Sequence, residues 1–196
     1  MRKTKGRPKS FDEQEVLALA MDYFWKNGYE NSSLDDVLKA MGISKGSFYH
    51  LFCSKEELFS KCLELYRKNR LEYLQSLKKE IGSKATMLRL VEMTLDELKT
   101  TGRLSGCLLM NSGKECYGRH KDLSKQIQKE YLTIQNFFVD ALQEAIDKGT
   151  LKSSLFAQDL STRFMNTLNG LVLSVQAGAT DEMIESIVQQ LKEMID

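Results

Sequence analysis

Residues 33–58 read Ser33-Leu-Asp-Asp-Val-Leu-Lys-Ala-Met-Gly-Ile-Ser-Lys-Gly-Ser-Phe-Tyr-His-Leu-Phe-Cys-Ser-Lys-Glu-Glu-Leu58. Two short amphipathic stretches flank a tight turn, Met41-Gly42-Ile43-Ser44. In the first, Leu34, Val37, Leu38 and Met41 recur at the spacing of one helical face. Ser33 stands at its N-cap, where a hydroxyl satisfies an orphan backbone N–H. Gly42 closes it, since glycine enters the left-handed conformation of a helix stop without a steric penalty. Ser44 caps a second helix, Lys45 to about Leu51, and Ile43 is predicted to be a buried plug between the two. This is the spacing of a helix-turn-helix. The second helix carries Phe48, Leu51 and Phe52 on one side and Lys45, Gly46, Ser47, Tyr49 and His50 on the other. A short helix with a basic, hydroxyl-bearing, glycine-thinned outer face suits a DNA major groove. Gly46 lets the backbone approach, while Ser47, Tyr49 and His50 offer hydrogen bonds to phosphates or bases. Each has a plainer reading: Ser33 and Ser44 are caps in any case, Tyr49 could be a core aromatic, and His50 could be merely exposed.

Outward from this stretch the chain stays helical. Ser10-Phe-Asp-Glu13 has the form of a capping box, followed by Val16, Leu17, Ala20, Met21 and Phe24 at helical spacing, with Asn27-Gly28 as the stop. Ser54-Lys-Glu-Glu57 is a second capping box and opens a long helix to about Lys79. Periodicity predicts further helices over about 84–100, 105–115, 122–147, 155–176 and 181–195. Alternating β-branched runs and hairpin turns are scarce. The fold class expected is all-α with about nine helices. A three-helix helix-turn-helix domain is expected over residues 1–53 and a second helical domain over 54–196.

The chain has 196 residues, 42% of them hydrophobic, and a net charge of +1, so bulk charge selects no partner. Its distribution says more. Arg2, Lys3, Lys5, Arg7 and Lys9 crowd the N-terminal arm, whereas Asp181, Glu182, Glu185, Glu193 and Asp196 face only Lys192 at the other end. That asymmetry fits nucleic-acid contact at the N-terminus, or a solvated tail. No apolar run approaches the ~18 residues of a membrane span, and no apolar segment follows the basic start, so a cytoplasmic protein without membrane contact is expected. The cysteines are Cys53, Cys62, Cys107 and Cys116, the histidines His50 and His120, and no Cys-x-x-Cys occurs. No metal and no cofactor are expected from that set. In a reducing compartment the thiols are free, most of them as small buried hydrophobes. An enzyme is a poor reading: there is no Gly-x-Gly-x-x-Gly or P-loop. A thiol-dependent enzyme built on Cys107 would lack an identifiable base. A helical interaction protein without DNA leaves the polar face of 45–50 unused.

The run Ile43–Leu58 resembles the signature of the TetR family of transcriptional regulators: a glycine, then Tyr-x-x-Phe, then Lys-Glu-x-Leu. Phe24-Trp-Lys-Asn-Gly-Tyr29 is similar to the family's aromatic-x-x-x-Gly-Tyr/Phe segment, and Ser32-Ser33-Leu34 stands in place of its Thr-Ser/Thr pair. The likeness is close over about residues 10–58 and rests on length and helix count beyond. Leu51 departs from it, standing where histidine or tyrosine is usual, which shifts a polar contact to His50. The resemblance implies a repressor that binds a pseudo-palindromic double-stranded DNA operator as a homodimer. Tyr49, His50 and Lys55 would touch phosphate, and Ser33, Ser44, Lys45, Gly46 and Ser47 would sit at or near the groove. It also implies that residues 54–196 dimerise and bind a small-molecule inducer of unknown identity. Phe156, Leu160, Phe164, Leu168, Leu171 and Val175, with Val172 beside them, and Met183, Ile184, Ile187, Val188, Leu191, Met194 and Ile195 could then pair across a two-fold axis as a four-helix bundle, or face their own core. Gly106-Cys-Leu-Leu-Met-Asn-Ser-Gly-Lys-Glu115 resembles a segment in a branch that includes regulators responding to electrophiles or oxidants. This makes Cys107 a candidate redox or ligand sensor, against the alternative of a packing cysteine. Tyr117, Tyr131, Phe137, Phe138, Phe164 and Met165 could line a pocket or fill the core.

Overall fold

A computed structural model describes residues 12–196. Among these it holds nine α-helices and no strand: α1 (Glu13–Asn27), α2 (Leu34–Met41), α3 (Lys45–Leu51), α4 (Lys55–Ile81), α5 (Ser83–Thr101), α6 (Leu108–Cys116), α7 (Lys121–Asp147), α8 (Ala157–Gln176) and α9 (Asp181–Glu193). The basic arm, Arg2 to Lys9, and Ser10 lie outside the described residues. None of the described helices is long and apolar enough to cross a membrane. The chain divides into two units, Met1–Leu65 and Tyr66–Asp196. The division falls inside α4, not ahead of it at residue 54. The cause is burial: Leu58, Phe59, Cys62 and Leu63 of α4 are fully buried with the first unit's helices.

In the first unit α1 is capped by Asp12, whose carboxylate accepts from the Gln14 N–H at 3.0 Å. Phe24 packs edge-on against Phe59 with centroids 4.9 Å apart, and Tyr29 stacks on the same ring at 4.6 Å. The turn between α2 and α3 is built by Gly42, left-handed at φ +67°. There the Gly42 N–H donates to Lys39 O and the Ile43 N–H to Leu38 O, each at 3.2 Å, so two end carbonyls of α2 are satisfied. Ile43 is buried, as a plug must be. At the start of α4 the Ser54 hydroxyl accepts from the Glu57 N–H at 3.0 Å. The Glu57 carboxylate reaches back to the Cys53 N–H at 2.7 Å, one residue short of the cap's own N–H.

In the second unit α6 begins at Leu108, three residues later than its periodicity suggests. Gly106 holds a left-handed φ of +70°, which breaks the helix there. A side chain here would be strained by that φ and crowded as well: a Cβ would lie 3.0 Å from Val172 Cγ1. Asn111 and Gln176 donate to the Ser105 and Leu104 carbonyls at 2.9 and 3.1 Å and hold the loop in place. Cys107 therefore becomes the N-cap of α6. Arg67 of α4 pairs with the buried Glu130 of α7, and Lys78 pairs with Glu144 at 2.8 Å. Leu160, Phe164, Leu171, Val188 and Leu191 are buried in the unit's own core, so the apolar stripes of α8 and α9 are partly spent there. What they leave outside is Leu173 and Met183, 47% and 53% exposed, with Leu168, Val172 and Ile184 half-buried.

Candidate nucleic-acid interface and thiol site

The first unit presents α3 with one face in and one face out. Phe48 and Phe52 are buried, with centroids 5.6 Å apart. On the other side Ser44, Lys45, Gly46, Tyr49 and His50 are exposed and Ser47 is half-buried. Among the described residues the side chains of Lys45 and His50 make no hydrogen bond or ion pair, which leaves their donors to solvent or to a ligand. Tyr49 rests edge-on against Phe48 at 5.2 Å, so its ring is oriented while 55% of the residue faces out. Ser44 accepts from the Ser47 N–H at 3.1 Å and its hydroxyl lies 3.0 Å from that of Ser47. Ser33 does the same for α2, accepting from the Asp36 N–H at 3.2 Å and donating to the Asp36 carboxylate. That hydroxyl, with Lys39 beyond it, holds the Asp36 carboxyl below its ordinary range. Gly46 is helical, and a Cβ there would meet nothing closer than Ser44 Oγ at 3.8 Å. Packing within the chain does not require a glycine at this position.

Lys55 is placed differently from its neighbours in the sequence-based site. Its ammonium donates to the carbonyls of Tyr29 and Ser32, both at 2.9 Å, and sits 4.2 Å from the centroid of the Tyr29 ring. It ties the loop between α1 and α2, and so the cap of α2, to the start of α4. Nothing in the Lys-Glu-x-Leu pattern announces this clamp, because its partners are backbone atoms more than twenty residues away.

In the second unit Cys107 is half-buried and the Tyr66 hydroxyl donates to its sulfur at 3.5 Å. Burial first, and the sulfur beside it second, push the Tyr66 hydroxyl well up, so it stays protonated and remains a donor. Tyr131 is raised in the same sense by burial and by Cys107. The other thiols are worse placed to react. Burial pushes Cys62 up, and Glu57 does the same to the exposed Cys53. Cys116 is fully buried at the far end of an unbroken α6, so nine residues of rise put it about 13 Å along the axis from Cys107. A disulfide between them would require α6 to unwind.

A cavity of about 1030 Å³ runs along α6 and α7, lined by residues including Leu109, Gly113, Lys114, Arg119, Ile127 and Tyr131; sequence reasoning named Tyr117 and Tyr131 as possible lining but missed the basic rim. Of the aromatic residues in question, Phe138 and Phe164 are core, Tyr117 is 84% exposed at the cavity's edge, and Tyr131 lines it. The available signal was the glycine inside a helix at 113, next to Lys114 and followed by Arg119, Lys121 and Lys125.

Comparison with known proteins bears on both units. The family described as bacterial regulatory proteins, tetR family, matches residues 16–62, and the tetracyclin repressor-like C-terminal domain matches residues 84–191. The HTH-type transcriptional regulator YezE of Bacillus subtilis is 26% identical over 91% of this chain and 92% of its own. The HTH-type transcriptional repressor NemR of Escherichia coli is 29% identical over 69% of this chain and 67% of its own. The reduced form of NemR superposes with a TM-score of 0.80 at 21% identity, covering 92% of this chain and 95% of that one. CifR, a TetR family transcriptional regulator solved as a cysteine mutant with 26-base-pair double-stranded operator DNA, gives 0.79 at 24% identity, covering 95% and 98%.

Proposed function

The chain belongs to the TetR family of bacterial regulatory proteins and is a helix-turn-helix transcriptional regulator, and we propose that it is a cytoplasmic repressor which holds a pseudo-palindromic operator as a homodimer. The observation that carries the DNA contact is the outer face of α3. Lys45, Gly46, Tyr49 and His50 stand exposed over a fully buried Phe48, so the helix is anchored from behind and free in front. Lys45 and Ser47 reach base edges, Tyr49 and His50 phosphates, and the Ser33 and Ser44 caps bring their hydroxyls to the backbone. Lys55 acts mainly by fixing the loop that carries Ser33. The test is anisotropy of labelled genomic fragments captured by the protein and mapped by footprinting. With about six to ten phosphate contacts, affinity should fall about 10³–10⁵-fold between 50 and 200 mM salt. No DNA binding at the lower salt would overturn the reading.

Release from DNA is proposed to involve the second unit, and Cys107 is the residue through which an electrophile would act. Its sulfur adds to a ring carbon of a quinone: a C–S bond forms, the thiol proton goes to one carbonyl oxygen, the hydrogen of the attacked carbon shifts as a proton to the other, and the quinone becomes a hydroquinone thioether. The thiolate is the attacking form. The position of Cys107, half-buried at the cap of α6 and against the Tyr66 hydroxyl, supports this. Treating the wild type, Cys53→Ser and Cys107→Ser with naphthoquinone should release operator from the first two and not from the third. Equal release from Cys107→Ser would make this cysteine a packing residue.

A further inference from the structure

The cavity along α6 and α7 has chemistry of its own. At about 1030 Å³ it lies just above the roughly 300–1,000 Å³ of most small-molecule sites. Leu109, Met110, Ile127 and Tyr131 give it an apolar wall. Lys114, Arg119, Lys121 and Lys125 supply cations, and no acidic residue is among the described residues that line it. Asp122, mostly in solvent, pairs with Lys125 at 3.8 Å and leaves the rim net positive.

Gly113 gives a second, independent sign. It lies inside α6, where glycine costs about 1 kcal/mol relative to alanine. Its backbone does not demand glycine, since its φ is not positive. Nor does packing, since a Cβ would meet only Ile127 Cγ2 at an ordinary 3.9 Å. The one thing the missing side chain provides is room in the cavity, which Gly113 lines.

We infer that this cavity binds an organic anion with an apolar body, its tail against Leu109, Met110 and Ile127 and its charged head among Lys114, Arg119 and Lys121. A cationic or neutral compound of the same shape would face a positive rim with nothing to neutralise. Cys107 is the N-cap of α6, two residues before Leu109 of the cavity wall, so occupancy is felt beside the thiol. The consequence for DNA rests on the reading of the chain as a ligand-released regulator; binding itself does not.

The test uses the full chain and calorimetry with decanoate, decanol and decyltrimethylammonium, each below its micellar concentration. Decanoate should bind about tenfold or more tighter than either analogue, as expected of a charge-assisted contact. Gly113→Leu fills the cavity with a better helix former, so it should melt no lower than wild type and lose about tenfold in decanoate affinity. Lys114→Glu/Arg119→Glu should lose as much, and the loss should shrink at about 0.5 M salt. Lys152→Glu, away from the cavity, should change nothing. The inference is overturned if decanol or the cation binds as tightly as decanoate, if none binds, or if a folded Gly113→Leu keeps wild-type affinity. Should Gly113→Leu melt early, the double charge reversal decides. Anisotropy with DNA is read separately: decanoate binding without DNA binding sinks only the regulatory reading, and DNA binding without decanoate binding sinks only the cavity.

Discussion

Glycine is used in two opposite ways in this chain. Eight described glycines have positive φ and lie between helices, as at Gly42 and Gly106, where any other residue would strain the turn. Gly46, Gly113 and Gly170 lie inside helices, and a Cβ at any of them would meet nothing closer than 3.8 Å. Each weakens its own helix for no internal benefit, which points to a partner outside the chain. For Gly46 the expectation has opposite signs in two assays. Gly46→Ala should raise stability, by up to about 1 kcal/mol, and should weaken operator binding because a methyl then stands between helix and groove. If the variant binds DNA as well as wild type, the glycine is not a contact position. Lys55 behaves the other way. Lys55→Met removes a charged donor from two carbonyls at 2.9 Å and should cost roughly 1.5–3 kcal/mol of stability. A thermal melt of the variant checks this. An unchanged melt with weaker DNA binding would return Lys55 to the role of a phosphate contact only. The caps at Ser33 and Ser44 and the plug at Ile43 were legible from sequence because their reasons are local. The Lys55 clamp was not, because its partners are backbone atoms that only the folded loop brings near.

At the scale of elements, helix existence followed from spacing, and helix ends followed wherever the stop is a residue type, as at Gly28, Gly42 and Gly102. The start of α6 was misread because an apolar periodicity continues through Leu104, while the left-handed Gly106 and the carbonyl contacts of Asn111 and Gln176 end it there. The pairing of α4 with α7 was invisible in sequence, since Arg67 and Glu130 are sixty-three residues apart. Glu130 is buried, so Arg67→Met leaves a carboxylate without its counter-charge and should cost about 3–5 kcal/mol. Arg67→Met/Glu130→Met should recover most of that loss, and denaturant melts of both variants check it. The second ion pair gives these helices an acid limit. Lys148 and then Lys78 hold the Glu144 carboxyl down to about 2, against an ordinary 4.5. Its folded form therefore binds protons less readily than its unfolded form, so its stabilising contribution is present above about pH 4.5 and is lost as pH falls toward 2. Glu144→Gln should melt below wild type at pH 7. The gap should close near the acid end of that window, and a constant gap would remove the ion pair from the account.

At the scale of the whole molecule the net charge of +1 supplies no long-range pull toward DNA, so affinity must come from doubling a local contact. Two recognition helices entering successive major grooves need to be about 34 Å apart, or a multiple of that, which only a two-fold dimer provides. The surface proposed for it is what α8 and α9 leave uncovered. Leu173 and Met183 are 47% and 53% exposed, and Gly170, with nothing within 4 Å of its would-be Cβ, permits close helix approach on the same element. Sequence reasoning favoured the interface over the core for both stripes because the family resemblance implies a dimer, whereas periodicity by itself marks an apolar face without saying what covers it. The distinction matters for the test. Leu191 is fully buried, so Leu191→Glu places a charge in the protein's own core and should unfold the second unit. Leu173→Glu and Met183→Glu place theirs at the surface and should leave helix content and melting intact. In sedimentation they should run as monomers where wild type runs as a dimer, because a desolvated, unpaired carboxylate is strongly unfavourable in an apolar contact. Affinity for the full operator should then fall toward that for a half-site, since the second α3 no longer benefits from being tethered to the first. If both variants sediment as dimers, the two-fold contact lies on another surface of the second unit.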